Sequence, residues 1–191
     1  MSEWHRIYLV RHGQAAASWD EDTDPGLSEL GRQQAEDAAA TLAELGPMAL
    51  VTSPMRRTQE TAYAFTKRWN AEARIEPRIS EIPSPSMALD ERREWLVAIM
   101  TGKWTDPPAM ATDPHDLQAW RHATYSTIAE MTEPTVVTSH FVAINAIVGL
   151  ITGDDLVVNF APDNCSITIV ESNGQDLRLV ETGKEAETEV G

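Results

Sequence analysis

Short β-branched runs of buried-strand type that end at charged or imidazole side chains constrain this chain more than any other feature. Residues 7–10 (IYLV) give way without a spacer to Arg11, His12 and Gly13, and residues 135–139 (TVVTS) stop at His140. A run of four or five such residues without alternation is the pattern of a strand buried on both faces, the environment of a parallel sheet. Between these runs the pattern turns helical. Leu30, Ala35, Ala38, Leu42 and Leu45 recur at helical spacing, with Ser28 placed as a cap and Gly46-Pro47 as a stop. Residues 48–52 read as a second strand. Ser53 followed by Pro54 predicts an N-cap and a first helical position, opening a helix that runs to about Trp69. Residues 74–79 read as a third strand, after which Pro83 and Pro85 forbid regular pairing. Residues 86–132 are mostly helical in pattern, with a break at 102–108 and a restart near Asp113-Pro114. An apolar helix at 142–152 follows, and two strands at 166–171 and 177–181 flank the turn at Ser172-Asn173-Gly174. Strands alternating with helices predict the α/β class, a three-layer α/β/α sandwich with a mainly parallel sheet. The expected organisation is a single domain over 1–191, with 82–132 as a helical cap insertion and 184–191 as a frayed tail.

Composition narrows the function. At 191 residues, 42% hydrophobic and 24% charged, the chain can bury a core without disulfide or metal staples. Its one cysteine, Cys165, excludes an internal disulfide framework or a cysteine-rich metal site, and reads as a small buried hydrophobe. Fifteen Lys and Arg against thirty Asp and Glu leave a formal charge of −15, which disfavours nucleic acid and anionic membranes as partners. The same charge repels anionic small molecules at long range, so a phosphate site must be a local cationic pocket. The longest apolar stretch, 141–152, is too short to span a bilayer, and the N-terminus lacks a signal-peptide core. A cytoplasmic protein is expected.

In open α/β sheets, ligands bind beyond the carboxyl ends of the strands. Arg11-His12, Glu81 and His140 stand at three such ends, and Arg57 lies in the helix after the second strand. Arginine forks match phosphate oxygens. A neutral imidazole can attack phosphorus, and a carboxylic acid can protonate the leaving oxygen. Phosphoryl transfer asks mainly for positioning and charge stabilisation, which this set supplies. A metal site at His115 and His122, with Asp113 and Asp116 nearby, is disfavoured because the histidines are seven apart rather than four. Trp95, Trp104 and Trp120 read as core or cap packing. The acidic run 20–24 reads as a solvated loop that borders the pocket at most.

Four segments in order resemble the histidine phosphatase superfamily, the phosphoglycerate-mutase-like fold: LVRHGQA at 9–15, LSELGRQQA at 27–35, TSPMRRTQETA at 52–62 and VVTSHFVAI at 136–144. NCSITIVE at 164–171 is similar to the strand that usually follows. The resemblance implies that His12 is the nucleophile and becomes a phosphohistidine. It implies that Arg11, Arg57 and His140 hold the phosphoryl group and that Glu81 is the general acid, with Glu76 and Glu91 as nearby competitors. Two positions depart from the pattern. Phe141 stands where glycine commonly follows the second histidine, and Ala15 stands where a hydroxyl residue is common, so that Gln14 or backbone N–H groups take over a phosphate contact. The implied activity is a phosphatase that needs no metal or cofactor, acting on a phosphorylated small molecule or phosphoprotein, with homo-oligomers possible in the family. A phosphoglycerate mutase-type phosphotransferase and a non-catalytic phosphate-binding module are the alternatives.

Overall fold

A computed structural model of the chain describes residues 3–17, 22–106 and 116–187. Its elements run in the order β1 (His5–Arg11), α1 (Glu29–Thr41), β2 (Ala49–Thr52), α2 (Arg56–Trp69), β3 (Ala73–Ile75), a 3-10 turn (Pro77–Ile79), α3 (Leu89–Met100), α4 (Leu117–Ala129), β4 (Thr135–Ser139), α5 (Phe141–Thr152), β5 (Ile167–Ser172) and β6 (Leu177–Glu181). The six strands form one sheet in the order β3-β2-β4-β1-β5-β6. β3, β2, β4 and β1 are mutually parallel. β5 and β6 extend the sheet in antiparallel sense.

The strand side chains alternate between two cores, as the two-residue strand period requires. Ile7, Leu9, Val51, Val137 and Val170 face one core, completed by Ile128 from α4 and Ile144 and Ile147 from α5. Tyr8, Val10, Leu50 and Val136 face the other, completed by Ala35, Ala38 and Ala39 from α1 and Phe65 from α2. Helices therefore cover both faces and the layers are three. Each fully buried aliphatic side chain contributes roughly 1.5–3 kcal/mol, so these two faces hold the central strands in place.

A third cluster lies in the segment expected to form a cap. Trp95 and Ile99 of α3, with Trp104, pack on Val142 and Ala146 at the start of α5. The end of α4 behaves differently, since Ile128 and Ala129 belong to the main core. The expected helix restart at Asp113-Pro114 lies outside the described residues, and α4 begins at Leu117, capped by the Asp116 side chain on the Ala119 N–H.

Four local expectations are corrected. Leu30 and Leu45, expected on the inner face of α1, are 53% and 58% exposed. The helix packs instead through small alanines, which let it sit close to the sheet and to α2. The third strand ends at Ile75, because Pro77 lacks a ladder donor and opens a 3-10 turn whose N-cap is the Glu76 carboxylate. α2 begins at Arg56, not at Pro54; its N-cap, Met55, makes no side-chain cap bond, and the Ser53 hydroxyl is used elsewhere. The start of the expected tail is tied down. Asp163 donates to the Lys184 carbonyl and Ala186 to the Ala161 carbonyl, while 188–191 lie outside the described residues.

Candidate active site

His12 follows the last residue of β1, and its backbone N–H continues the ladder by donating to the Ser139 carbonyl at 3.0 Å. Its own carbonyl accepts from Asn164 Nδ2 at 3.0 Å. The ring Nδ1 lies 2.7 Å from the Gly13 carbonyl, and the Arg57 Nε–H points at Nε2 from 3.2 Å. A carbonyl only accepts and a guanidinium only donates, so the proton sits on Nδ1 and the Nε2 lone pair is presented. Burial is the main cause keeping the ring neutral, followed by the Arg57 charge and then Arg11; together they outweigh the Gly13 bond and lower the pKa to about 3.

The loop after His12 is tightly built. A Cβ on Gly13 would lie 2.4 Å from the Gly31 carbonyl oxygen, and one on Gly31 would lie 2.1 Å from the Gln14 oxygen. Only glycine permits this approach of the loop to the first turn of α1. The Gly13 N–H donates to Thr61 Oγ1 at 3.1 Å, tying the loop to α2.

Arg57 comes from the first turn of α2 and is 4% exposed. Besides His12 it reaches His140, whose Nδ1 lies 3.2 Å from Arg57 Nη2. Burial lowers its pKa, opposed by the neighbouring carboxyl groups of Glu81 and Asp24, the latter 3.9 Å away. His140 stands at the N-cap of α5, fully buried, and its ring centre is 5.4 Å from that of His12. Burial, with His12 and both arginines, pushes its pKa well below the ordinary value. Arg11 ends β1; its Nη1 donates to the Pro162 carbonyl at 2.8 Å, and its guanidinium carbon lies 5.1 Å from the centre of the Phe141 ring. The Phe141 departure thus places an aromatic face on an arginine of the site.

Glu81 is 8% exposed. Oε1 accepts the Ile82 N–H at 3.0 Å and Oε2 the Val142 N–H, in the first turn of α5, at 3.4 Å. Burial raises its pKa against the pull of those bonds and of Arg57 and Arg11. The two competing carboxylates are committed elsewhere. Glu76 is held by Arg78 and Arg74, which bring its pKa down to about 2. Glu91 accepts the Ala88 N–H at the start of α3. The structure therefore brings Arg11, His12, Arg57, Glu81 and His140 together. Gln14 is exposed and turned toward α1, its Oε1 accepting from the Ser28 hydroxyl at 2.8 Å.

Over His12 and Arg57 lies a narrow cleft, walled further by Ala15, Asp22, Thr23 and Arg92, with about 20 Å³ of space, room for a water. Asp22 places the described part of the acidic run at the cleft; Asp20 lies outside the described residues. Sequence reasoning missed Ser53, Arg92 and Asn164, and placed Asp24 only within a run that borders the pocket at most. Asn164 and Ser53 lie inside motif segments and were open to notice; nothing sets Arg92 apart from Arg93. Among the described residues, no group of three or more His, Cys, Asp or Glu is placed to hold a metal ion. His115 and Asp113 lie outside them, and the exposed His122 pairs through Nδ1 with the Gln118 carbonyl at 2.8 Å. Cys165 is buried, with its thiol pKa pushed up to about 12, chiefly by that burial. No helix among the described residues is long and apolar enough to cross a membrane.

Two histidines and Arg11 at the ends of β1 and β4, Arg57 from the first turn of α2 and a buried carboxyl beyond the 3-10 turn gather at one edge of an α/β sandwich, a cationic set matched to phosphate. Residues 7–185 match the histidine phosphatase superfamily (branch 1), and the chain belongs to that family. A glucosyl-3-phosphoglycerate phosphatase of Mycolicibacterium vanbaalenii is 38% identical over 80 residues, 40% of this chain and 36% of that protein. The chain thus spans about a third of that relative's length in the match. A probable phosphoglycerate mutase GpmB of Escherichia fergusonii is 23% identical over 163 residues, 78% of this chain and 75% of the other. The native structure of a mycobacterial glucosyl-3-phosphoglycerate phosphatase superposes with a TM-score of 0.72 at 22% identity, covering 95% of this chain and 100% of that one. This likeness shows the fold.

Proposed function

We propose that the chain is a phosphatase that hydrolyses a phosphomonoester of a small molecule through a phosphohistidine at His12. The observation that carries this reading is the neutral His12 ring, with Nδ1–H bound to Gly13 and the Nε2 lone pair beside Arg57. Binding alone needs no nucleophile held in one tautomer.

In the first step the Nε2 lone pair attacks phosphorus and the ester P–O bond breaks. Protonated Glu81 gives its proton to the leaving oxygen. In the second, the Glu81 carboxylate takes a proton from water, the resulting hydroxide attacks phosphorus, the N–P bond breaks, and phosphate leaves. Arg11, Arg57 and His140 hold the phosphoryl oxygens and stabilise the charge that spreads over them, the role that such fixed donors play in dry sites. Gln14 adds a contact at the mouth only if its amide leaves Ser28. The segment 82–106, packed on α5 through Trp95 and Trp104, forms the cap that screens substrates, and Arg92 is its contribution to the cleft. The names of the mycobacterial and enterobacterial relatives favour a phosphorylated glycerate derivative as the substrate class.

The test is hydrolysis of an aryl phosphate in the presence of a chelator. Wild type is expected to release phosphate, and His12→Ala to lose activity to background. Chelator-sensitive turnover, or full activity in His12→Ala, overturns the reading. Transfer of the group to an added phosphate acceptor faster than to water would assign a mutase instead.

A further inference from the structure

Ser53 follows β2 directly, as His140 follows β4, and the two strands are paired side by side with Thr52 opposite Thr138. The Ser53 N–H donates to the Thr138 carbonyl at 3.1 Å, so the ladder fixes its backbone. Its side chain is fully buried, and Oγ lies 2.8 Å from His140 Nε2. That hydroxyl is where a sequence reading puts a helix cap, yet α2 starts three residues later with no side-chain cap.

The direction of the bond follows from its neighbours. Arg57 carries only donors, and its Nη2 stands 3.2 Å from His140 Nδ1. Nδ1 must then present a lone pair, and the single proton of the neutral ring sits on Nε2. The Nε2–H donates to Ser53 Oγ, which also accepts the Met55 N–H at 3.3 Å. Both acceptor positions of the hydroxyl are thereby used, and the ring is held at both of its nitrogens.

We propose that Ser53 is a positioning residue for His140: its hydroxyl holds the Nε2 proton and so aims Nδ1 at the phosphoryl site. When a phosphate monoanion draws Arg57 onto its oxygens, Nδ1 is left facing the P–OH oxygen. Nδ1 accepts that hydroxyl's proton and, once it holds it, donates it back to the same oxygen as a hydrogen bond, while Nε2–H stays on Ser53. An imidazole with the other tautomer would already point its N–H at the Arg57 cation, an arrangement that repels. This inference rests on the phosphatase reading for its kinetic consequence, though not for the tautomer itself.

The tautomer is measured in the wild-type full chain from the 15N shifts and couplings of the His140 ring, with no substrate present. A proton on Nε2 is expected; a proton on Nδ1 overturns the proposal whatever the enzyme's activity. Binding of inorganic phosphate to wild type, Ser53→Ala and Ser53→Thr gives the second arm. Ser53→Ala is expected to weaken phosphate binding about tenfold, the loss of one hydrogen bond to a charged group, and to raise KM for aryl phosphate more than it lowers kcat. Ser53→Thr, which keeps the hydroxyl, is expected to recover most of the binding. Phosphate affinity in folded Ser53→Ala within twofold of wild type overturns the proposal, and so does a failure of Thr to outperform Ala when both variants fold. If either variant fails to fold, the wild-type tautomer decides alone. If wild type binds phosphate and shows the expected tautomer but turns nothing over, the proposed activity fails and the positioning role stands.

Discussion

His12 and Glu81 show burial working in opposite directions on an imidazole and a carboxyl group. Desolvation disfavours the charged form of each, lowering the imidazole pKa and raising that of the carboxyl. The two shifts run apart, the imidazole toward its neutral form and the carboxyl toward its protonated one, which is the pattern the proposed nucleophile and general acid require. A consequence can be measured through the leaving group. Glu81→Gln is expected to cut hydrolysis of an alkyl phosphate by about 10²–10⁴-fold, the usual worth of a general acid. Hydrolysis of a nitrophenyl phosphate, whose leaving group needs little help, is expected to fall far less, and equal losses on both substrates would remove Glu81 from the role. The residues around this pair divide by how far their evidence travels along the chain. Arg11, His12, Arg57 and His140 sit in local strings that announce them. Ser53 was misread because Ser-Pro is a local signal for a helix cap, while its actual partner is His140, 87 positions away. Arg92 beside Arg93 carries no mark at all, since only the path of α3 decides which of the two meets the cleft.

At the scale of elements, the strands that end at the site were legible and the connections over it were not. β4 runs over Thr135–Ser139, where the β-branched stretch TVVT predicts a strand, and all five residues are buried. The acidic composition of the run 20–24 predicts a solvated loop that borders the pocket at most, and it names no partner for any one carboxylate. In the structure, Asp24 Oδ1 accepts the Arg56 N–H at 2.9 Å at the start of α2 and faces Arg57 Nη1 at 3.9 Å. One carboxylate thus holds the helix end and competes with an incoming anion for the arginine. Asp24→Asn keeps an oxygen for the Arg56 N–H and removes the charge. Because Asp24 is 46% exposed on its side chain, its pairing energy is small, about 0.5–1 kcal/mol. The variant is therefore expected to bind inorganic phosphate roughly two- to fivefold more tightly, measured as its inhibition constant against aryl phosphate. An unchanged or weaker inhibition constant would show that Asp24 serves the helix end alone.

The whole molecule carries a formal charge of −15 and yet gathers two arginines, one buried and one half-buried, and two buried histidines at one edge of the sheet. That cluster ties stability to acidity. The ordinary histidine value is 6.5 and His12 in the fold stands at about 3, so the unfolded chain binds a proton that the folded chain refuses. Such a contribution is fully present above pH 6.5 and is lost as pH falls from there toward 3. His140 is displaced in the same direction, and Glu76, down at about 2, adds a further loss below 4.5. Glu81, displaced upward, works in the opposite sense and stabilises the fold as pH falls, so the His12 contribution is read from a difference: the urea midpoint is expected to fall less from pH 7.5 to pH 5 in His12→Gln than in wild type, and parallel profiles would contradict the neutral buried ring. The parallel register of β1 on β4 has a historical consequence as well. Arg11 pairs with Ser139, so the two histidines are the next residues after one shared rung. Losing or gaining a single residue in either strand would slide one histidine by about 3.3 Å and send every side chain of that strand to the opposite face. Descendants of this chain can lengthen or shorten their loops and exchange the helices over the cleft, and so acquire new substrates. The count of residues from the rung to each histidine is a frame that none of them can edit.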